Sequence, residues 1–107
     1  MISRDTHKVG HFDDSEAVLQ VVCSKDLELL AAVGTSCPDH LLRTKIRPLI
    51  VDFDPTKSDV VAVVAGLAKS VEQYRTGYAA YYESCKHDDS PAMRDPNAVI
   101  YLIPGVG

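Results

Sequence analysis

Four side chains that commonly hold transition metals fall into two short clusters, Cys37-Pro38-Asp39-His40 and Cys85-Lys86-His87. Two thiolates and two imidazoles make a tetrahedral zinc set. The spacing argues against it: the second pair has a single residue between its ligands, the first carries a proline inside, and neither matches a finger. Ordinary thiols and surface histidines account for the same residues, and no metal site is assigned. Cys37 or Cys23 could instead be a nucleophile, which requires a nearby cation or base to favour the thiolate. His40 follows Cys37 by three residues, with Arg43 and Lys45 close behind. Such neighbours are common by chance, so a structural thiol is preferred and no catalytic residue is assigned. Anion binding is the third chemistry. Arg43, Lys45 and Arg47 alternate with Leu42, Thr44 and Ile46, which on a half-buried strand puts three cations on one face. Together with Cys37, Asp39 and His40 they form a candidate substrate or anion site. A charged edge strand that discourages pairing explains them equally well. Finally, Gly105-Val106-Gly107 follows an apolar run as in the opening of a dinucleotide loop, but the third glycine and the helix are absent and Pro104 sits in the turn.

The elements that would position these residues can be read from periodicity and punctuation. Residues 1–13 are polar and irregular. Asp14 or Ser15 can cap a short helix over Glu16 to Val22, although Val21 and Val22 leave a strand possible. Ser24 opens a second helix that runs from Leu27 to Val33 and stops at Gly34 in a left-handed cap. Pro48 to Phe53 reads as a strand, with proline at its permitted first position, and Asp54-Pro55 forces a turn after it. Thr56 with Asp59 resembles a capping box. Beyond it Val60, Val64, Leu67, Val71, Tyr74, Tyr78 and Tyr81 recur at steps of three and four, one stripe of a helix reaching about Lys86. Roughly 30 residues make a helix of ~45 Å, against a radius of gyration of ~13 Å for a domain of this length. The helix must therefore bend, at Gly66 or Gly77, or project, and the projecting part would carry the tyrosines. A polar linker leads to Ala98 to Ile103, a short apolar run that suits a buried strand. The expected fold is α/β: a small sheet covered by helices, one of them long, near residues 56–86, within a single domain or fragment spanning 1–107.

Composition narrows the partners. At 107 residues there is room for one core. A net charge of −4 gives no electrostatic reason to bind nucleic acid or an anionic membrane. No apolar run approaches the ~20 residues that cross a bilayer, and the first five residues lack a secretory core. Three unclustered cysteines speak for reduced thiols and a cytoplasmic location.

Long stretches of the chain resemble a known family. Gly34-Thr35-Ser36-Cys37-Pro38-Asp39-His40-Leu41-Leu42-Arg43-Thr44-Lys45-Ile46-Arg47-Pro48 is similar to a segment of the bifunctional rhamnulose-1-phosphate aldolase/short-chain alcohol dehydrogenase proteins. The same holds for Asp52-Phe53-Asp54-Pro55, Tyr78-Ala79-Ala80-Tyr81-Tyr82-Glu83, Ser90-Pro91-Ala92-Met93-Arg94-Asp95-Pro96-Asn97 and Tyr101-Leu102-Ile103-Pro104-Gly105-Val106-Gly107. The resemblance covers nearly the whole chain. It implies a position between a class II aldolase (adducin-like) region and a Rossmann dehydrogenase, in a parent enzyme that uses zinc and NAD. Class II aldolases carry a His-x-His metal motif before an alanine-rich helix and a later strand ending in Asn-His-Gly. Val22-Cys23-Ser24 and Ile103-Pro104-Gly105 stand at the similar places here without histidines, which implies a degenerate aldolase-like half. The expectation is a structural or substrate-proximal segment, inactive alone and without a cofactor of its own. Its partners would be the remaining domains of the parent, with self-association of the exposed piece. A self-contained anion- or phosphate-binding module is the alternative.

Overall fold

Two strands that run parallel cannot be joined by a tight turn, so the segment between them has to cross the sheet. That constraint organises this chain. The computed structural model describes residues 2, 6–56 and 59–107. Within these, β1 (Leu49–Ile50) pairs in parallel with β2 (Tyr101–Leu102), Leu49 opposite Tyr101 and Ile50 opposite Leu102. The amides of Leu49 and Val51 donate to the carbonyls of Ile100 and Leu102 at 2.9 and 2.8 Å. The crossover is α4 (Val60–Cys85), 26 residues and ~39 Å long. Three shorter helices precede the sheet: α1 (Glu16–Val22), α2 (Leu27–Val33) and α3 (Pro38–Thr44).

Side chains alternate between the faces of a strand, and the two faces have different partners. Leu49, Val51 and Ala98 pack on Val71 of α4, all nearly sealed from solvent, with Leu67, Tyr74, Tyr101 and Ile103 around them. Burial of Val71, 1% exposed, is worth roughly 1.5–3 kcal/mol. The opposite face, with Ile100 and Leu102, looks toward α1 and α2 across an apolar groove of about 270 Å³. Val22 and Leu27 form a second buried point where α1 meets α2.

The fold is α/β with one long helix, as the sequence implies, but several details differ. The stripe of α4 is rotated from the expected one: Val60 and Val64 are exposed, at 74% and 51%, and Val63, Leu67, Val71, Tyr74 and Tyr78 face inward. The valine-rich start of the helix is exposed, and at the tyrosine-bearing end Tyr78 is half-buried while Tyr81 is exposed. The longest dimension is 49 Å and the radius of gyration 14.9 Å. Asp59 stands at the cap position in extended geometry without a side-chain bond to the helix, while Thr56 makes a turn with its amide on Asp54 Oδ1. Residues 57 and 58, between Thr56 and Asp59, and residues 1 and 3–5 of the N-terminal segment lie outside the described residues. Ser15 stands at the α1 cap without a side-chain bond to the helix. Its own amide donates to Asp13 instead.

The largest correction concerns Leu42 to Arg47, expected as a strand: Leu42, Arg43 and Thr44 close α3 and Lys45 to Arg47 are irregular. Pro38 occupies the first helical turn, where its missing N–H has no partner to lose, and Cys37 before it is extended, as a residue before proline must be. Arg43 lies in the last turn, where a cation suits the helix dipole. Thr44 folds its hydroxyl back to the His40 carbonyl at 2.8 Å. Arg43, Lys45 and Arg47 therefore do not share a strand face.

Gly34 ends α2 at a positive φ of 79°, and a Cβ there would stand 2.8 Å from the Ile46 carbonyl oxygen. Both the backbone angle and the close approach require glycine. Gly34→Ala is expected to destabilise by roughly 1–3 kcal/mol. Gly66→Ala, at a helical glycine with open space around it, is expected to stabilise by about 0.5–1 kcal/mol. Chemical denaturation of both variants checks the pair of opposite signs.

Candidate functional site

The densest polar cluster lies where the second half of α4 meets the linker before β2. Arg75 is four residues beyond Val71 on the buried face of the helix, so its guanidinium has to find acceptors inside the protein. It donates to Asn97 Oδ1 and to Glu72 Oε2, the latter at 2.9 Å. Arg75 and Asn97 are only 9% and 6% exposed. Asn97 in turn donates from its amide and its side chain to Asp95 Oδ1. Lys8 of the N-terminal segment pairs with the other oxygen of Asp95. Burial pushes the Asp95 carboxyl up, but bonds from Lys8 and Asn97 outweigh it and leave the pKa below the ordinary 3.8.

Lys45 joins the same cluster from the other side. It follows α3 at a φ of 68°, a conformation that costs a non-glycine residue energy. Its ammonium donates to the Asp95 carbonyl and sits 4.3 Å from the centroid of the Tyr78 ring. The cation–π contact and the hydrogen bond together offset the strained backbone. Nearby, Tyr74 donates to the Arg47 carbonyl at 2.7 Å and Tyr82 to the Pro91 carbonyl at 2.6 Å. The Tyr101 hydroxyl is buried without a partner among the described residues, and burial raises its pKa.

The residues singled out in the sequence are distributed around this cluster and not gathered into it. Cys37 is half-buried at the start of α3, Asp39 is exposed in its first turn, and exposed His40 has Nδ1 3.1 Å from Ser36 Oγ. Arg43 and Arg47 are exposed. Of these six, Lys45 enters the network, and Lys45 and Arg47 both line the apolar groove beside α2 with Ile100 and Leu102. The three cysteines are free thiols. Among the described residues no three His, Cys, Asp or Glu side chains are close enough to share a metal. Cys37, His40, Cys85 and His87 therefore do not assemble a zinc site. Nor does the loop after β2 suit a dinucleotide. Ile103 donates its amide to the Gly107 carbonyl at 2.8 Å and closes the turn on itself. A Cβ on Gly107 would stand 2.7 Å from the Asp13 carbonyl oxygen, so this glycine accommodates the N-terminal segment and not a phosphate.

Residues 1–107, the whole chain, match the family described as aldolase class II, second domain. The chain belongs to this family. A Bacillus subtilis (strain 168) protein described as the uncharacterized oxidoreductase YuxG is 33% identical over 106 residues. The match covers 99% of this chain and 15% of YuxG, so the chain spans less than a sixth of that relative's length. No solved structure matches. Within this second domain, Val22-Cys23 ends a helix, with Val22 buried, and Ile103 leads into the closed turn. Among the described residues no helix is long and apolar enough to cross a membrane.

Sequence reasoning missed Arg75, Asp95 and Asn97. The signal was available for Arg75, because an arginine adjoining the apolar stripe of a helix must find acceptors. Its partners come from an irregular linker whose path no periodicity reveals.

Tyr74 offers a test of the arrangement. Burial first, then the neighbouring Tyr78 and Tyr101, raises its pKa from 10.0 to about 12. The folded value lies above the unfolded one, so its contribution to stability is complete below pH 10 and is lost as the pH rises through about 12. Tyr74→Phe should lower stability at neutral pH by about 1 kcal/mol through the lost hydrogen bond. It should also flatten the alkaline fall, as melting temperature measured against pH would reveal.

Lys45 gives a second test, in which anchor and strain separate. Lys45→Met removes the contacts with Tyr78 and Asp95 and should cost about 1–2 kcal/mol. Lys45→Gly removes the same contacts but relieves the positive φ, and should be the milder change. Denaturant midpoints for the two variants check the order.

Proposed function

We propose that this chain is a non-catalytic, structural segment of a bifunctional cytosolic enzyme, in which a class II sugar-phosphate aldolase is followed by a short-chain dehydrogenase. In this reading aldol cleavage and its zinc, and alcohol oxidation with NAD, belong to other parts of the polypeptide. The second domain holds the aldolase portion in place. Family membership, the small share of YuxG that is matched and that protein's description as an oxidoreductase all support it. The resemblance of residues 34–48 and 90–107 to the rhamnulose-1-phosphate aldolase/dehydrogenase proteins supports the sugar-phosphate substrate.

One physical observation carries the structural role. Parallel sheets normally have several strands with both faces covered. Among the described residues two strands stand together, and Leu29, Leu30 and Val33 of α2 and Val60, Val61 and Val64 of α4 are exposed. These are surfaces that further protein would cover. The alternative, a self-contained anion-binding module, has weaker support, because the Lys45 ammonium is already engaged by Asp95 and Tyr78.

Calorimetry and light scattering distinguish the two readings. The chain alone should self-associate with rising concentration and should take up no ketose-1-phosphate, with or without Arg43→Ala. Sugar-phosphate binding that disappears in Arg43→Ala and Lys45→Ala, by a monodisperse monomer, would replace the structural reading with the binding module.

A further inference from the structure

The outer edge of β1 lies at the bottom of a groove between two helical layers. The amides of Leu49 and Val51 face β2, so strand alternation points the amide and carbonyl of Ile50 to the opposite edge. No strand lies there among the described residues. The groove, about 350 Å³, has Pro48 and Ile50 on its floor, α2 on one side and α4 on the other. Resting on the structural reading above, we infer that this groove is the seat of a third strand, supplied by the aldolase portion of the same polypeptide.

Shape and wall chemistry define the occupant. A neighbouring strand lies ~4.8 Å from the edge it pairs with, whereas a helix ~10 Å across could not reach the backbone groups of Ile50 between the two layers. The α2 wall presents the small apolar Ala31 and Ala32 beside Glu28, the α4 wall presents Ser70, Gln73 and Tyr74, and Arg47 adds a cation at the floor. An extended segment that alternates large apolar and polar residues satisfies both, the apolar set filling the space over the alanines. Pro48 offers no N–H to that edge, so pairing is confined to the residues from Ile50 onward. The source follows from the family. This is described as a second domain, and the match leaves 85% of YuxG outside it, by subtraction of the 15% covered. Polypeptide beyond these residues is thus available in the relative, whereas a second copy would need two edges that each begin with proline.

Hydrogen exchange at the Ile50 amide tests this. It is to be measured in residues 1–107 alone and in the gene product that joins them to its aldolase portion. In the joined protein the Ile50 amide should exchange at least ~100-fold more slowly. Ala32→Phe or Ser70→Leu, each filling the groove from one wall, should abolish that difference while the Val71 amide stays protected. Equal exchange of Ile50 in both proteins overturns the inference. So does protection in the isolated chain that grows with its light-scattering mass, which would seat a second copy in the groove. A joined protein that associates through other surfaces and leaves Ile50 unprotected removes this inference alone. A gene product without any aldolase portion removes the structural reading and this inference with it.

Discussion

Everything in this molecule depends on the parallel pairing of β1 with β2. Two bonded residues on each side cannot hold strands that lie about fifty positions apart in the chain, because closing so long a loop carries an entropic cost that grows with its length. The pairing persists because α4 lies across one face and buries Val71 against Leu49, Val51 and Ala98. Sheet and helix are therefore one unit. The strands set the direction of the crossover, and the crossover supplies the apolar contact that the short strands lack.

The polar network at the far end of α4 extends that unit to parts of the chain with no regular structure. Arg75 holds Asn97, Asn97 holds Asp95, and Asp95 receives Lys8 from the N-terminal segment and Lys45 from the end of α3. A buried guanidinium left without acceptors would be strongly destabilising, so the linker has to adopt the path that provides them. This is specification by satisfaction of polar groups rather than by apolar area. It also explains why a lysine is tolerated at a positive φ: its ammonium has both an aromatic face and a carbonyl within reach.

What the sequence disclosed follows the range of the interactions involved. The long helix, its end near residue 86, the stop of α2 at Gly34 and the two strands could be read because period, glycine and proline act locally. The facing of α4 was read one position out of phase at its start. Val60, Val63 and Val64 are equally apolar, and only the docking on β1 selects Val63. The strand expectation at Leu42 to Arg47 failed for a different reason. Alternation of cations with apolar residues over so few positions fits a strand, but Pro38 at the first turn fits a helix start, and the backbone followed the proline. The site was the least legible part. Its members come from four separate segments, and the six residues chosen for their chemistry share only Lys45 with the cluster that formed.

The distribution of groups also argues about what kind of part this is. A catalytic site keeps reactive groups in a cleft with unfilled valences toward a substrate. Here the charged groups nearest the core are turned on one another: Arg75 on Glu72 and Asn97, Asp95 on Lys8, Lys45 on Tyr78. Apart from the buried Tyr101 hydroxyl, the unmet capacity among the described residues lies in apolar and backbone groups, along the exposed faces of α2 and the start of α4 and at the edge of β1. Chemistry with small polar molecules uses the first kind of capacity, and association with protein uses the second. On the proposed structural reading, these faces are where the rest of the polypeptide would pack.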